Sequence, residues 1–117
     1  MTSVPKNRGE ARVLCDSDPA QLADLLLTDQ LDRATRSFAA EYLGNADLDA
    51  ALICRALEHV VLSNDPPFVR EGALYGLSNL AGEHDSKQAL DILRYVSKSE
   101  PNGTLRDIAI YALWLEE

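Results

Sequence analysis

Displaced by 36 residues, the chain falls back onto itself. Leu57 meets Leu93, Val60 meets Val96, Ser63 meets Ser99, Arg70 meets Arg106, Ala73 meets Ala109, Tyr75 meets Tyr111 and Leu77 meets Leu113, without a gap. A weaker copy lies 34 residues upstream, where Arg36, Ala39 and Leu43 correspond to Arg70, Ala73 and Leu77. A period of this length, in a chain almost free of strand-like alternation, marks stacked helical hairpins. One hairpin cannot bury its apolar face alone, so neighbours must cover it. The repeat therefore predicts an all-α fold, an α-solenoid of about three antiparallel helical hairpins with six helices.

Local punctuation places those helices. Ser17 or Asp18 caps a run over 17–29 with Pro19 at its first helical position, and 32–45 ends at Gly44-Asn45. The run 46–64 stops at Asp65-Pro66-Pro67, and 67–81 stops at Gly82. An Asp or Ser cap opens 85–100, which ends before Pro101-Asn102-Gly103, and 104–117 completes the set. Residues 17–117 form one domain with units near 18–45, 47–82 and 86–117. Residues 1–16 are polar and read as a mobile or partly helical tail.

The segments "TRSFAAEYLGN", "VREGALYGLSN" and "LRDIAIYALWL" resemble second helices of HEAT repeats, whose pattern is close to V-R-x-x-A-x-x-x-L. The lead-in "SNDPPFVR", acidic shortly before Val-Arg, is similar to that family too. Unit one departs from the pattern with Thr35 at an aliphatic position, and unit three replaces the acidic-Pro turn with "EPNGTLR". The resemblance spans about residues 17–117. It implies a binding scaffold whose second helices line a concave surface.

On a helical wheel begun at Val69, residues Val69, Ala73, Leu77 and Leu80 share the face toward the hairpin partner. Gly72 and Gly76 lie toward the flank where a neighbouring unit stacks. The corresponding positions are Phe38 and Tyr42 in unit one and Ile108 and Ala112 in unit three. The glycines are read as packing positions, with Phe38 and Tyr42 expected to fill the groove beside them. Arg36, Arg70 and Arg106 recur at one position near the helix starts and read as a structural ladder. Asp65 and Glu100 are its nearest acceptors, with Asp32 a looser one. The opposite face carries Tyr75 and Tyr111, with Glu41 at the equivalent place in unit one, flanked by Glu71 and Asp107. Trp114 stands one turn beyond Tyr111. Glu71, Tyr75, Asp107, Tyr111 and Trp114 are the candidate partner-binding residues.

Composition narrows the partner. With 19 acidic and 11 basic side chains the formal charge is −8, which argues against a nucleic-acid grip or adsorption to an anionic membrane. It favours a protein or peptide partner, in particular a basic one. No run reaches the roughly 18 apolar residues of a membrane span, and no secretory leader is evident, so a cytoplasmic location is expected. Cys15 and Cys54 form no metal knuckle or disulfide framework, and His59, Glu83, His84 and Asp85 lack metal-ligand spacing. No catalytic residue, metal or cofactor is expected. The function expected is a non-catalytic interaction module, an adaptor or an inhibitor or immunity-type antagonist, with a homodimer through the C-terminal repeat as a further expectation. The alternative is an accessory enzyme resembling HEAT-type chromophore lyases, holding a small ligand in the groove.

Overall fold

The computed structural model describes residues 4–116. They form seven α-helices and no strand: α1 (Arg8–Ser17), α2 (Pro19–Leu27), α3 (Arg33–Leu43), α4 (Ala50–Val61), α5 (Pro67–His84), α6 (Lys87–Ser99) and α7 (Gly103–Glu116). Most starts follow from capping chemistry. The side chains of Asp18, Asp32, Asp49 and Ser86 each accept a backbone N–H in the first turn of α2, α3, α4 and α6. Asn102 accepts likewise from Leu105 N in α7. α5 begins instead on Pro66-Pro67, with proline at its first position and no side-chain cap.

Two expectations are corrected. α5 runs through Gly82 to His84 and ends where Asp85 turns left-handed, at φ 49°. Gly82 therefore needs no special backbone conformation and does not stop the helix. Six helices were expected, and the segment before residue 17 contributes a seventh. α1 buries Ala11, Leu14 and Cys15 and packs on α2 and α3. Of the 1–16 tail, only residues 1–3 lie outside the described part. Once α1 is seen, its sequence carries the repeat signature as well: Arg8, Ala11 and Cys15 have the spacing of Arg36, Ala39 and Leu43.

The helices contact one another in two rows. One row is α2, α4 and α6; the other is α1, α3, α5 and α7, each touching the next. At about 10 Å per packed helix, the row of four accounts for the 42 Å long axis. α5 is central, touching α3, α4, α6 and α7. Leu57, Val69, Leu77, Leu93 and Leu105 are fully buried between the rows.

The α3–α5 crossing explains the paired glycines. A methyl carbon at Gly72 would collide with the Ser37 carbonyl oxygen and lie 2.7 Å from Ser37 Oγ. One at Gly76 would collide with the Ala40 carbonyl oxygen and lie 3.0 Å from a Leu57 methyl. One at Gly44 would lie 2.7 Å from Gly76 Cα. The two backbones touch, and Ser37 Oγ donates across the crossing to the Phe68 carbonyl at 3.0 Å. The glycines are thus packing positions, but the atoms closest to them are not those of Phe38 and Tyr42. Small residues fill that role: Ser37, Ala40 and Gly44. Phe38 and Tyr42 occupy the positions equivalent to Gly72 and Gly76, so they point the same way along the row, toward α1.

The arginines form a ladder that crosses between units. Arg36 Nη1 donates to both carboxylate oxygens of Asp65 at 2.5 Å, and its Nη2 donates to the Leu31 carbonyl at 3.0 Å. Arg70 repeats the pattern with Glu100 and the Val61 carbonyl. Each guanidinium ties its own turn to the acid of the following turn. Among the described residues, Arg106 donates to the Glu100 carbonyl alone, at 3.3 Å. Asp32 serves as a helix cap rather than a rung.

Candidate functional site

The buried positions of α5, from Val69 to Ala81, leave Phe68, Glu71 and Tyr75 along one outward strip. α3 contributes Ala34, Phe38 and Glu41 beside it. Together these side chains surround a groove of about 330 Å³ between α3 and α5, with Ser37 and Gly72 also lining it.

Within the groove the Tyr75 hydroxyl donates to Glu71 Oε1 at 2.8 Å. That hydrogen bond, aided by burial and by the Glu71 and Glu41 charges, raises the Tyr75 phenol above the ordinary tyrosine range. Tyr75 is therefore a neutral donor that orients the Glu71 carboxylate. On α7, Tyr111 and Trp114 stack with ring centroids 5.9 Å apart and an interplanar angle of 23°. They remain 61% and 69% exposed, so the stack faces outward. Asp107 is exposed one turn before Tyr111. Among the five residues predicted for this face, the structure thus joins Glu71 to Tyr75 and Tyr111 to Trp114.

Three neighbours escaped sequence reasoning as members of the face. Phe68 stands just before the first core residue of its helix, yet it is 51% exposed. Phe38, expected beside the glycines, lines this groove together with Gly72. Arg8 lies on α1, where its guanidinium carbon sits 5.2 Å from the Phe38 ring centroid and 6.0 Å from that of Tyr42. Its Nε donates to the Tyr42 hydroxyl at 2.5 Å. The repeat spacing of Arg8 and Ala11 was the available signal for that helix.

The nucleophile and metal candidates are chemically quiet. Cys15, within the expected N-terminal tail, is buried like Cys54. Burial, reinforced by Glu58, pushes the Cys54 thiol up to about 11, and burial with Asp16 raises that of Cys15. Both are neutral thiols near pH 7. His59 Nε2 lies 2.9 Å from Asp29 Oδ1. Among the described residues no three His, Cys, Asp or Glu side chains converge as a metal site, and no helix is long and apolar enough to cross a membrane. No protein-family model matches the chain, and neither a curated protein nor a solved structure matches it.

Proposed function

We propose that this protein is a small HEAT-like α-solenoid of the cytoplasm that binds another protein without catalysis, as an adaptor or as an inhibitor or immunity-type antagonist. The observation carrying this reading is the outward face of α3, α5 and α7. There Phe68, Tyr75, Tyr111 and Trp114 are exposed among Glu41, Glu71 and Asp107. Large, stiff aromatics at a surface supply much contact area at low entropic cost, which suits interface anchors. The two-row packing and the arginine ladder support the solenoid part. A small-ligand enzyme would call for an enclosed cavity with converging polar groups. The α3–α5 groove is walled by exposed rings and suits a protruding side chain better.

Affinity capture from the native host tests this, comparing the wild type with Tyr75→Ala/Tyr111→Ala at matched folding. The double variant is expected to lose the partner by at least about tenfold, as removing interface anchors does. Retention of every captured protein would sink the assignment of this face.

A second contact belongs to the same proposal, self-association through the outer flank of α7. Ile110, Trp114 and Leu115 are exposed there, and among the described residues Arg106 bonds a carbonyl rather than a side-chain acid. Exposed apolar surface of this kind favours association. Light scattering over a dilution series is expected to show a mass that halves on dilution for the wild type, whereas Trp114→Ser stays monomeric throughout. A wild type monomeric at every concentration would remove the contact.

A further inference from the structure

The α3–α5 groove combines three features that select one kind of side chain. Phe38, Phe68 and Tyr75 supply ring surfaces, and Glu41 and Glu71 bring two carboxylates to the same opening. Among the described residues neither carboxylate belongs to an ion pair, whereas Asp65 and Glu100 are each bound to an arginine. Glu71 is instead held by the Tyr75 hydroxyl, which leaves its other oxygen available as an acceptor.

The same chain shows how this surface holds a guanidinium. From the α1 side, Arg8 lies over Phe38 and Tyr42 and donates to the Tyr42 hydroxyl. On the α5 side of Phe38 the aromatic surface continues into the groove and gains two carboxylates, and among the described residues no cation lines it. A planar guanidinium stacks on aromatic rings, bonds a carboxylate with its fork of donors, and is weakly hydrated. A lysine ammonium matches the charge but neither the plane nor the fork. At about 330 Å³ the groove is at the small end of ligand sites, sized for a side chain.

Building on the proposed protein-binding role, we propose that this groove is the receptor for an arginine side chain of the partner. Its guanidinium lies against Phe38 and Phe68 and donates to Glu71, with Glu41 closing the negative rim. The Tyr75 hydroxyl keeps the Glu71 carboxylate turned inward. The partner is accordingly a basic protein segment with an accessible arginine, and the chain's −8 charge adds long-range attraction.

The full chain, labelled with nitrogen-15, is titrated by NMR with the capped tripeptide Ac-Ala-Arg-Ala-NH2. Its lysine and citrulline counterparts are run in parallel; citrulline keeps the shape and removes the charge. The arginine peptide is expected to give saturable shifts at Ala34, Phe38, Phe68 and Tyr75, with a dissociation constant on the order of 1 mM. Lysine is expected to bind about threefold more weakly, and citrulline at least tenfold. Glu71→Gln and Glu41→Gln each weaken the arginine peptide by about fivefold, whereas Asp107→Asn on α7 leaves it unchanged. Citrulline or lysine binding as well as arginine overturns the inference, as do shifts confined to another face or an unaffected Glu71→Gln/Glu41→Gln pair. Loss of partner capture in Tyr111→Ala with no peptide shift in the groove overturns this site and leaves the broader binding role standing.

Discussion

Gly72→Ala is expected to lower the melting temperature by about 10 °C, although alanine is the better helix former. In an exposed helix interior the substitution stabilises by about 1 kcal/mol. Here the added methyl meets the Ser37 carbonyl oxygen, with the carbonyl carbon 2.9 Å away. These are backbone atoms, so no side chain can rotate aside, and α3 and α5 must part. Parting them loosens the Ser37–Phe68 hydrogen bond and the Gly44–Gly76 contact together. Overpacking costs about 1 to 3 kcal/mol and occasionally more, and a clash with backbone atoms puts this site at the upper end. A net loss of about 2 to 3 kcal/mol corresponds to about 10 °C in a domain of this size. Gly72→Leu is expected to abolish the cooperative transition. Gly9→Ala is the control, because among the described residues its methyl meets only Asn7 Oδ1, at 3.4 Å, and its melting temperature should hold or rise slightly. Thermal melts by circular dichroism distinguish these cases, and a higher melting temperature for Gly72→Ala would show that the crossing opens without cost.

The same glycines mark how far the sequence could be read. Their phase on the helix is set by the 3.6-residue period, so their packing role followed from Val69, Ala73 and Leu77 alone. Their closest contacts did not follow, because equivalent positions in stacked units point in the same direction. Matching Phe38 with Gly72 compared two residues that both look backward along the row. The facing stripe, Ser37-Ala40-Gly44, requires knowing which flank of α3 turns toward α5. α1 stayed hidden for another reason. Its Arg8-Ala11-Cys15 spacing is displaced 28 residues from unit one, outside the 34- and 36-residue shifts, and ends in cysteine rather than leucine. On the outward face, Tyr75, Tyr111 and Trp114 were legible from phase, since exposure repeats with the helix. The groove was not, because its two walls come from different units, Phe38 and Glu41 from α3 and Phe68, Glu71 and Tyr75 from α5.

Glu100→Gln is expected to cost about 3 to 5 kcal/mol at pH 7, a large share of the 5 to 15 kcal/mol that holds a typical domain. The Arg70 and Glu100 side chains are only 16% and 6% exposed. Removing the carboxylate strands a guanidinium that has little access to water. Arg94–Asp91 is the contrasting pair, since both its side chains are largely exposed, and Asp91→Asn should change stability by no more than about 0.5 kcal/mol. The sign of the pH dependence follows from the same geometry. Burial by itself would raise Glu100, but hydrogen bonds from Arg70 and the Asn102 N–H outweigh it, and the carboxyl titrates below its usual range. Asp65 is likewise lowered, by Arg36 and Ser63 against burial. Groups lowered on folding stabilise fully above their unfolded values, about 4.3 for Glu and 3.9 for Asp, and this stability fades as pH falls through the folded values. Urea midpoints measured from pH 7 down to pH 3 should therefore separate wild type from Glu100→Gln widely at neutral pH. The gap between the two curves should narrow toward the acid end, as the wild-type carboxyl begins to take up its proton. Parallel curves would mean that the pair contributes nothing specific. Because Arg70 belongs to the second unit and Glu100 to the turn before α7, the variant should also loosen one end preferentially. Amide hydrogen exchange in α6 and α7 should accelerate before that in α3 and α4, since the severed bond ties the turn before α7 to α5.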